Sequence, residues 1–205
     1  MMGSIAQRVA HHVAELPERS FVATREVDGS RTAVESAFSR AAARGRLTRV
    51  RKGLYWKGTH TPFGATPPRI EEVAIELGGP GSGPAGVAAA AWLGLTTQVP
   101  STYLVAVPAR TPTPWRRIRF TQRPVGRLLR DLEPSEVAVI EVLRAGDGVL
   151  EGGWDRFAEV VIEQAAEGRV RLDVLDVEIA DEPHRAARER WSAVRDAHPE
   201  LMATV

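Results

Sequence analysis

The chain has 205 residues, 43% hydrophobic and 26% charged, a balance that supports a packed core and excludes a disordered polyelectrolyte. It contains no cysteine, which removes disulfides, thiol nucleophiles and thiolate zinc sites together and points to a reducing, cytoplasmic compartment. The net charge of +1 hides a gradient: residues 1–60 carry 11 Lys+Arg against 5 Asp+Glu, residues 61–150 carry 9 against 8, and residues 151–205 carry 7 against 13. A basic N-terminal end suits a polyanion, and an acidic C-terminal end suits a different partner.

In chain order, Ser4 caps a first helix whose Ile5, Val9, Val13 and Leu16 share one face, and Pro17 ends it. Arg8, His11, His12 and Glu15 interrupt that stripe, so it does not read as a signal peptide. Phe21 and Val22 form a short extended piece, Thr24 starts a brief helix through Val27, and Asp28-Gly29 turn the chain. Ser30 then caps a strong helix running to Arg44, with Gly45 supplying the left-handed residue at its end. Val34, Ala37, Phe38, Ala41 and Ala42 recur at helical spacing and face the core, leaving Arg31, Thr32, Glu35, Ser36, Ser39 and Arg40 toward solvent. Leu47 to Arg51 alternates, Lys52-Gly53 turns, and Leu54 to Lys57 returns as a hairpin.

Pro62, Gly64, Pro67 and Pro68 mark residues 59–68 as a linker. Beyond it, Ile70 to Leu77 and Val87 to Leu93 read as helices around a glycine-rich loop, Gly78 to Gly86. Tyr103 to Val107 and Ile118 to Thr121 read as strands separated by a proline-rich turn. The pattern is helical from Pro134 onward, over Trp154 to Ala166, Leu172 to Ile179 and Pro183 to Ala197. The expected fold is therefore α+β: an N-terminal winged helix-turn-helix over residues 1–58, the linker over 59–68, and a mixed α/β domain over 69–205 with a helical C-terminal part. No stretch approaches the ~18–20 apolar residues of a membrane span, so no membrane partner is expected.

A helix that presents hydroxyls and arginines fits the major groove, where arginine reads guanine and short hydroxyls reach base edges or phosphates. Arg31, Thr32, Ser36 and Arg40 are the readers on this basis, and Arg49, Arg51 and Lys52 of the hairpin supply phosphate contacts. The partner this implies is double-stranded DNA. Gly81 to Gly86 matches G-x-G-x-x-G in letters only. A helical pattern precedes it, no acid follows about 20 residues on, and it is read as a flexible loop before a helix. His11, His12, His60, His184 and His198 have no metal-ligand spacing, and no G-x-S-x-G serine motif is present. No cofactor, metal or catalytic residue is expected. Arg110, Arg116, Arg117, Arg119, Arg123, Arg127 and Arg130 form a second basic cluster, read first as a solvated strand face and otherwise as an anion site. Glu159, Glu163 and Glu167 form an acidic stripe, read as solvated surface or as a face for a basic protein.

Several strings resemble the AbiEi-type antitoxins of type IV (abortive infection) toxin–antitoxin systems. They are Ser39-Arg40, then Gly45-Arg46-Leu47-Thr48-Arg49-Val50-Arg51-Lys52-Gly53-Leu54-Tyr55, Gly86 to Ala91, Gly94-Leu95-Thr96-Thr97-Gln98-Val99-Pro100, and Ile118-Arg119-Phe120. Gly94 to Pro100 is the most specific, and the likeness covers about residues 5–145. It implies a bacterial repressor of its own operon, with DNA contacts at Ser39, Arg40, Arg49, Arg51 and Lys52. It also implies a C-terminal domain that counters a co-encoded nucleotidyltransferase-like toxin. Two alternatives stay open at this stage: a stand-alone two-domain regulator, and an antitoxin whose C-terminal domain modifies the toxin enzymatically. Thr96, Thr97 and Gln98 form either a polar site or a turn whose side chains satisfy the backbone.

Overall fold

The computed structural model describes residues 4–108 and 110–202. The fold is mixed α+β, and the chain divides into two compact units, Met1–Val73 and Ala74–Val205.

In the first unit, α1 (Ile5–Glu15) begins with a capping box: the Gln7 amide donates to Ser4 Oγ at 3.3 Å and the Ser4 amide to Gln7 Oε1 at 2.8 Å. Strand β1 (Ser20–Ala23) and a single 3-10 turn (Thr24–Glu26) lead to α2 (Arg31–Ala43). Ser30 precedes α2 without a side-chain capping bond. At the other end Gly45 adopts φ +72°, and the amides of Gly45 and Arg46 close onto the carbonyls of Ala42 and Ala41 in a Schellman arrangement. Strands β2 (Thr48–Arg51) and β3 (Leu54–Lys57) complete an antiparallel sheet in the order β1-β3-β2. Val9, Val13, Val22, Val34, Phe38, Leu47 and Tyr55 fill the core beneath it. Lys57 donates to the carbonyls of Val13, Ala14 and Leu16 at the end of α1, so this lysine caps a helix.

The segment expected as a linker carries a small hairpin, β4 (His60–Thr61) and β5 (Gly64–Ala65), anchored by Trp56 Nε1 donating to the Thr66 carbonyl at 2.9 Å. Helix α3 (Ile70–Gly78) carries the chain across the division between units.

The second unit holds a three-stranded sheet, β6 (Gly83–Pro84), β7 (Tyr103–Val107) and β8 (Ile118–Gln122), in that order. β6 and β7 are antiparallel, whereas β7 and β8 are parallel from Tyr103↔Ile118 to Val107↔Gln122. The proline-rich segment between β7 and β8 is therefore a crossover and not a hairpin turn. Nor is Gly81 to Gly86 a flexible loop: residues 81–85 are buried and include β6. A Cβ on Gly81 would sit 2.8 Å from the Arg127 carbonyl oxygen, and one on Gly83 would sit 2.5 Å from Val137 Cβ. These glycines permit close packing, which explains the letters without a nucleotide.

Helices α4 (Val87–Trp92), α5 (Gly126–Leu129), α6 (Pro134–Ala145), α7 (Gly153–Ala166), α8 (Leu172–Ala180) and α9 (Arg185–Ala197) make up the rest. α6 is buried from Ser135 to Leu143 and forms the centre of the core with Ala89, Ala90, Phe157, Val161, Leu175, Ile179 and Trp191. Two glutamates lie inside it and each is neutralised. Arg171 takes Glu136 through Nε and Nη2, both at 2.7 Å. Arg123 takes Glu141 in a bidentate pair at 2.7 and 2.8 Å, and Arg127 adds a third bond at 2.8 Å. Arg127, which is fully buried, reaches on to Glu182 at 3.1 Å, where Arg144 also pairs; Arg130 joins Glu178 at 2.6 Å and also pairs with Asp181. The basic cluster is thus divided by the fold. Arg123 and Arg127 are internal counter-ions and Arg130 a partly exposed one, correcting their reading as a solvated face, while Arg110, Arg116, Arg117 and Arg119 stay exposed.

Candidate nucleic-acid interface

α2 and the β2–β3 hairpin enclose an open groove of about 230 Å³ in the first unit, lined by Thr32, Glu35, Ser36, Ser39, Arg49, Lys52, Gly53 and Tyr55. The helix lies on the core through Val34, Ala37 and Phe38, and this turns Thr32, Ser36 and Ser39 outward to form one wall. Tyr55 forms the floor: it is buried and stacks on Phe38 with ring centroids 5.2 Å apart. The hairpin forms the other wall. Its turn is fixed because Gly53 takes φ +78° and its carbonyl accepts a hydrogen bond from the Thr24 amide at 2.9 Å.

Five of the eight residues expected to contact DNA meet here: Thr32, Ser36, Ser39, Arg49 and Lys52. The other three lie elsewhere for identifiable reasons. Arg31 is bonded through Nε to Glu35 Oε1 at 3.0 Å, one helical turn along. Arg51 is exposed but does not line the groove. The pairing of β2 with β3 shifts between Arg49, opposite Tyr55, and Arg51, opposite Leu54, so the ladder is irregular between the two arginines. Arg40 lines a small cleft with Arg44, Arg46, Ala6, Ala10 and Ala41 on the α1 side of α2. At 100° per residue it lies about 80° around the helix from Thr32.

Glu35, Gly53 and Tyr55 complete the groove and are additions to the sequence-based set. Tyr55 and Gly53 stand in the Gly45 to Tyr55 string, but nothing in the string places them against α2. Glu35 carries the groove's one carboxylate. The Arg31 hydrogen bond holds that carboxyl below its ordinary range against the opposing effect of burial, and the charges of Lys52, Arg31 and Arg49 add to the lowering.

In the second unit the Gly94 to Pro100 segment is clamped by Glu151, whose carboxylate accepts from Thr96 Oγ1 at 2.7 Å, from the Thr97 amide at 3.0 Å and from Thr97 Oγ1. Thr96 Oγ1 accepts in turn from the Gln98 amide at 3.2 Å. The Thr96 bond to the Gln98 amide fits the second of the two readings above, whereas the donated hydroxyl bonds tie the segment to Glu151 and match neither. The acidic stripe is partly neutralised: Arg156 pairs with Glu159 at 2.9 Å and Glu163 at 3.6 Å, and Arg169 pairs with Glu167. Among the described residues, no group of three or more histidine or acidic side chains is placed to hold a metal ion, and no helix is long and apolar enough to cross a membrane.

No family model and no curated protein matches this chain. Among solved structures, the crystal structure of the RV2827C protein from Mycobacterium tuberculosis is similar at a TM-score of 0.46 and 15% identity, covering 100% of this chain and 81% of that one. At that score and identity nothing is carried from it to this chain.

Proposed function

We propose that this chain is an antitoxin that represses its own operon, the first unit acting as a winged helix-turn-helix on double-stranded operator DNA. The observation that carries the DNA half is the groove in which Thr32, Ser36 and Ser39 of α2 face Arg49 and Lys52 of the hairpin. Hydroxyls at the exposed crest of a helix reach base edges or phosphates, and cations beside it neutralise the backbone. Arg40, on the opposite flank of α2 from the hairpin, meets the second phosphate wall of the major groove and contributes affinity more than base choice. Arg51 contacts the backbone further from the helix.

The antitoxin half rests on the resemblance of Gly94 to Pro100 and its companion strings. The partner it names is a co-encoded nucleotidyltransferase-like toxin, countered by the second unit, and the compartment is the cytoplasm. Its test pairs two measurements: binding of the purified chain to the duplex upstream of its own gene against a scrambled duplex, and growth of cells expressing the adjacent gene with and without this chain. Preferential binding and restored growth are expected. Equal affinity for both duplexes overturns the operator role, and growth arrest unrelieved by this chain overturns the antitoxin role.

A further inference from the structure

Every lining residue of the groove suits a polyanion except one. Glu35 sits in the second turn of α2 with its side chain 31% exposed, in the same groove as Arg49 and Lys52. A fixed carboxylate there repels phosphate, so a groove that only tracked the backbone would be weakened by it. The major-groove edge offers a carboxylate hydrogen-bond donors at the exocyclic amines of cytosine and adenine; adenine's amine stands beside the N7 acceptor, which repels a carboxylate, so cytosine is the better match. Arg31, held to Glu35 at 3.0 Å, aims the carboxylate, and the neighbouring cations keep it ionised when it enters the groove.

We propose that Glu35 is a specificity-determining residue that accepts a hydrogen bond from the N4 amine of a cytosine and keeps phosphate away from the hairpin side of α2. This rests on the DNA-binding reading of the same groove. A carboxylate that merely stabilised the helix through its pair with Arg31 would leave base choice untouched when replaced.

The test is selection from a randomised duplex pool by the full-length chain, by Glu35→Ala and by Glu35→Gln, each checked for a native circular dichroism spectrum. The wild type should favour cytosine at one position by roughly five- to hundredfold, the range set by one good side-chain-to-base pair. Glu35→Ala should lose that preference while keeping the others and binding scrambled duplex more tightly at low salt. Glu35→Gln should move the same position toward adenine, whose N6 and N7 match a carboxamide. A wild type that binds duplex but gives the same base profile as both variants overturns the role of Glu35 and leaves the DNA-binding reading standing. A wild type that binds no duplex at low salt overturns both.

Discussion

Arg127→Met removes the centre of the buried ionic network while keeping an unbranched stem of similar length. The guanidinium is fully buried and contacts Glu141 at 2.8 Å and Glu182 at 3.1 Å, which are themselves 2% and 0% exposed. Breaking a buried pair by deleting one partner typically costs about 3–5 kcal/mol, because the surviving charge stays out of water. Glu141 keeps its bidentate bond from Arg123 and Glu182 keeps Arg144, so the lower end, about 3 kcal/mol, applies. With a urea slope of about 1.5–3 kcal/mol per molar, the unfolding midpoint of the second unit should fall by roughly 1–2 M. Urea titration followed by tryptophan fluorescence reads this unit through Trp154 and Trp191. A midpoint within about 0.3 M of wild type would refute the claim that these arginines are counter-ions inside the core.

Four further outcomes follow from the same geometry. Gly83→Ala should destabilise the second unit by about 1–3 kcal/mol in urea titration, because its Cβ would meet Val137 Cβ at 2.5 Å and the Pro134 carbonyl oxygen at 2.8 Å; an unchanged midpoint would show that α6 gives way freely. Glu151→Ala should abolish slow hydrogen exchange at the Thr97 amide, with the core amides of α6 unchanged. The wild-type Glu151 carboxyl is held down by the Thr96 hydroxyl first, then by the Thr97 amide and hydroxyl. Its folded value therefore lies below the usual glutamate value of about 4.3, so the clamp is complete above that value and is lost as pH falls through the lower folded one; a carbon NMR titration with an ordinary midpoint would contradict it. Glu141 behaves in the same direction: burial pushes its carboxyl up, but the Arg123 hydrogen bond and the charges of Arg127 and Arg123 outweigh burial and leave it depressed. Its contribution is present above the ordinary carboxylate range and fades as pH falls through the depressed value, and acid unfolding of Arg123→Gln should accordingly show a smaller drop across that interval.

The first unit was largely legible in the sequence because its signals are local. A capping box at Ser4, apolar residues at helical spacing through Val34 and Phe38, and glycine at the positive-φ positions Gly45 and Gly53 each act within a few residues. Less visible were features made by distant partners. β6 is two residues long, Gly-Pro, and its burial shows no alternation to detect. The parallel pairing of β7 with β8 depends on a crossover whose prolines resemble those of a tight turn. Arg127 finds Glu182 across 55 positions, so its burial could not be separated from that of the exposed Arg116 or Arg119 by composition. At the groove the limit was finer. The periodicity that turned Thr32, Ser36, Ser39 and Arg40 outward could not say which flank met the hairpin, and the register shift after Arg49 divided a basic run that reads as continuous. Glu35 was visible as a solvent-facing residue, but its role depends on the cations that the hairpin brings beside it.

The central claim is that Arg49 and Lys52 face α2 in order to hold DNA phosphates, and the salt dependence of duplex binding tests it most directly. Each phosphate contact contributes about 0.9 to the slope of log K against log salt, so Arg49→Ala/Lys52→Ala should lower that slope by about 1.8 and weaken binding to every duplex sequence alike. Equal slopes for the wild type and the double variant, with the fold intact by circular dichroism, would contradict it.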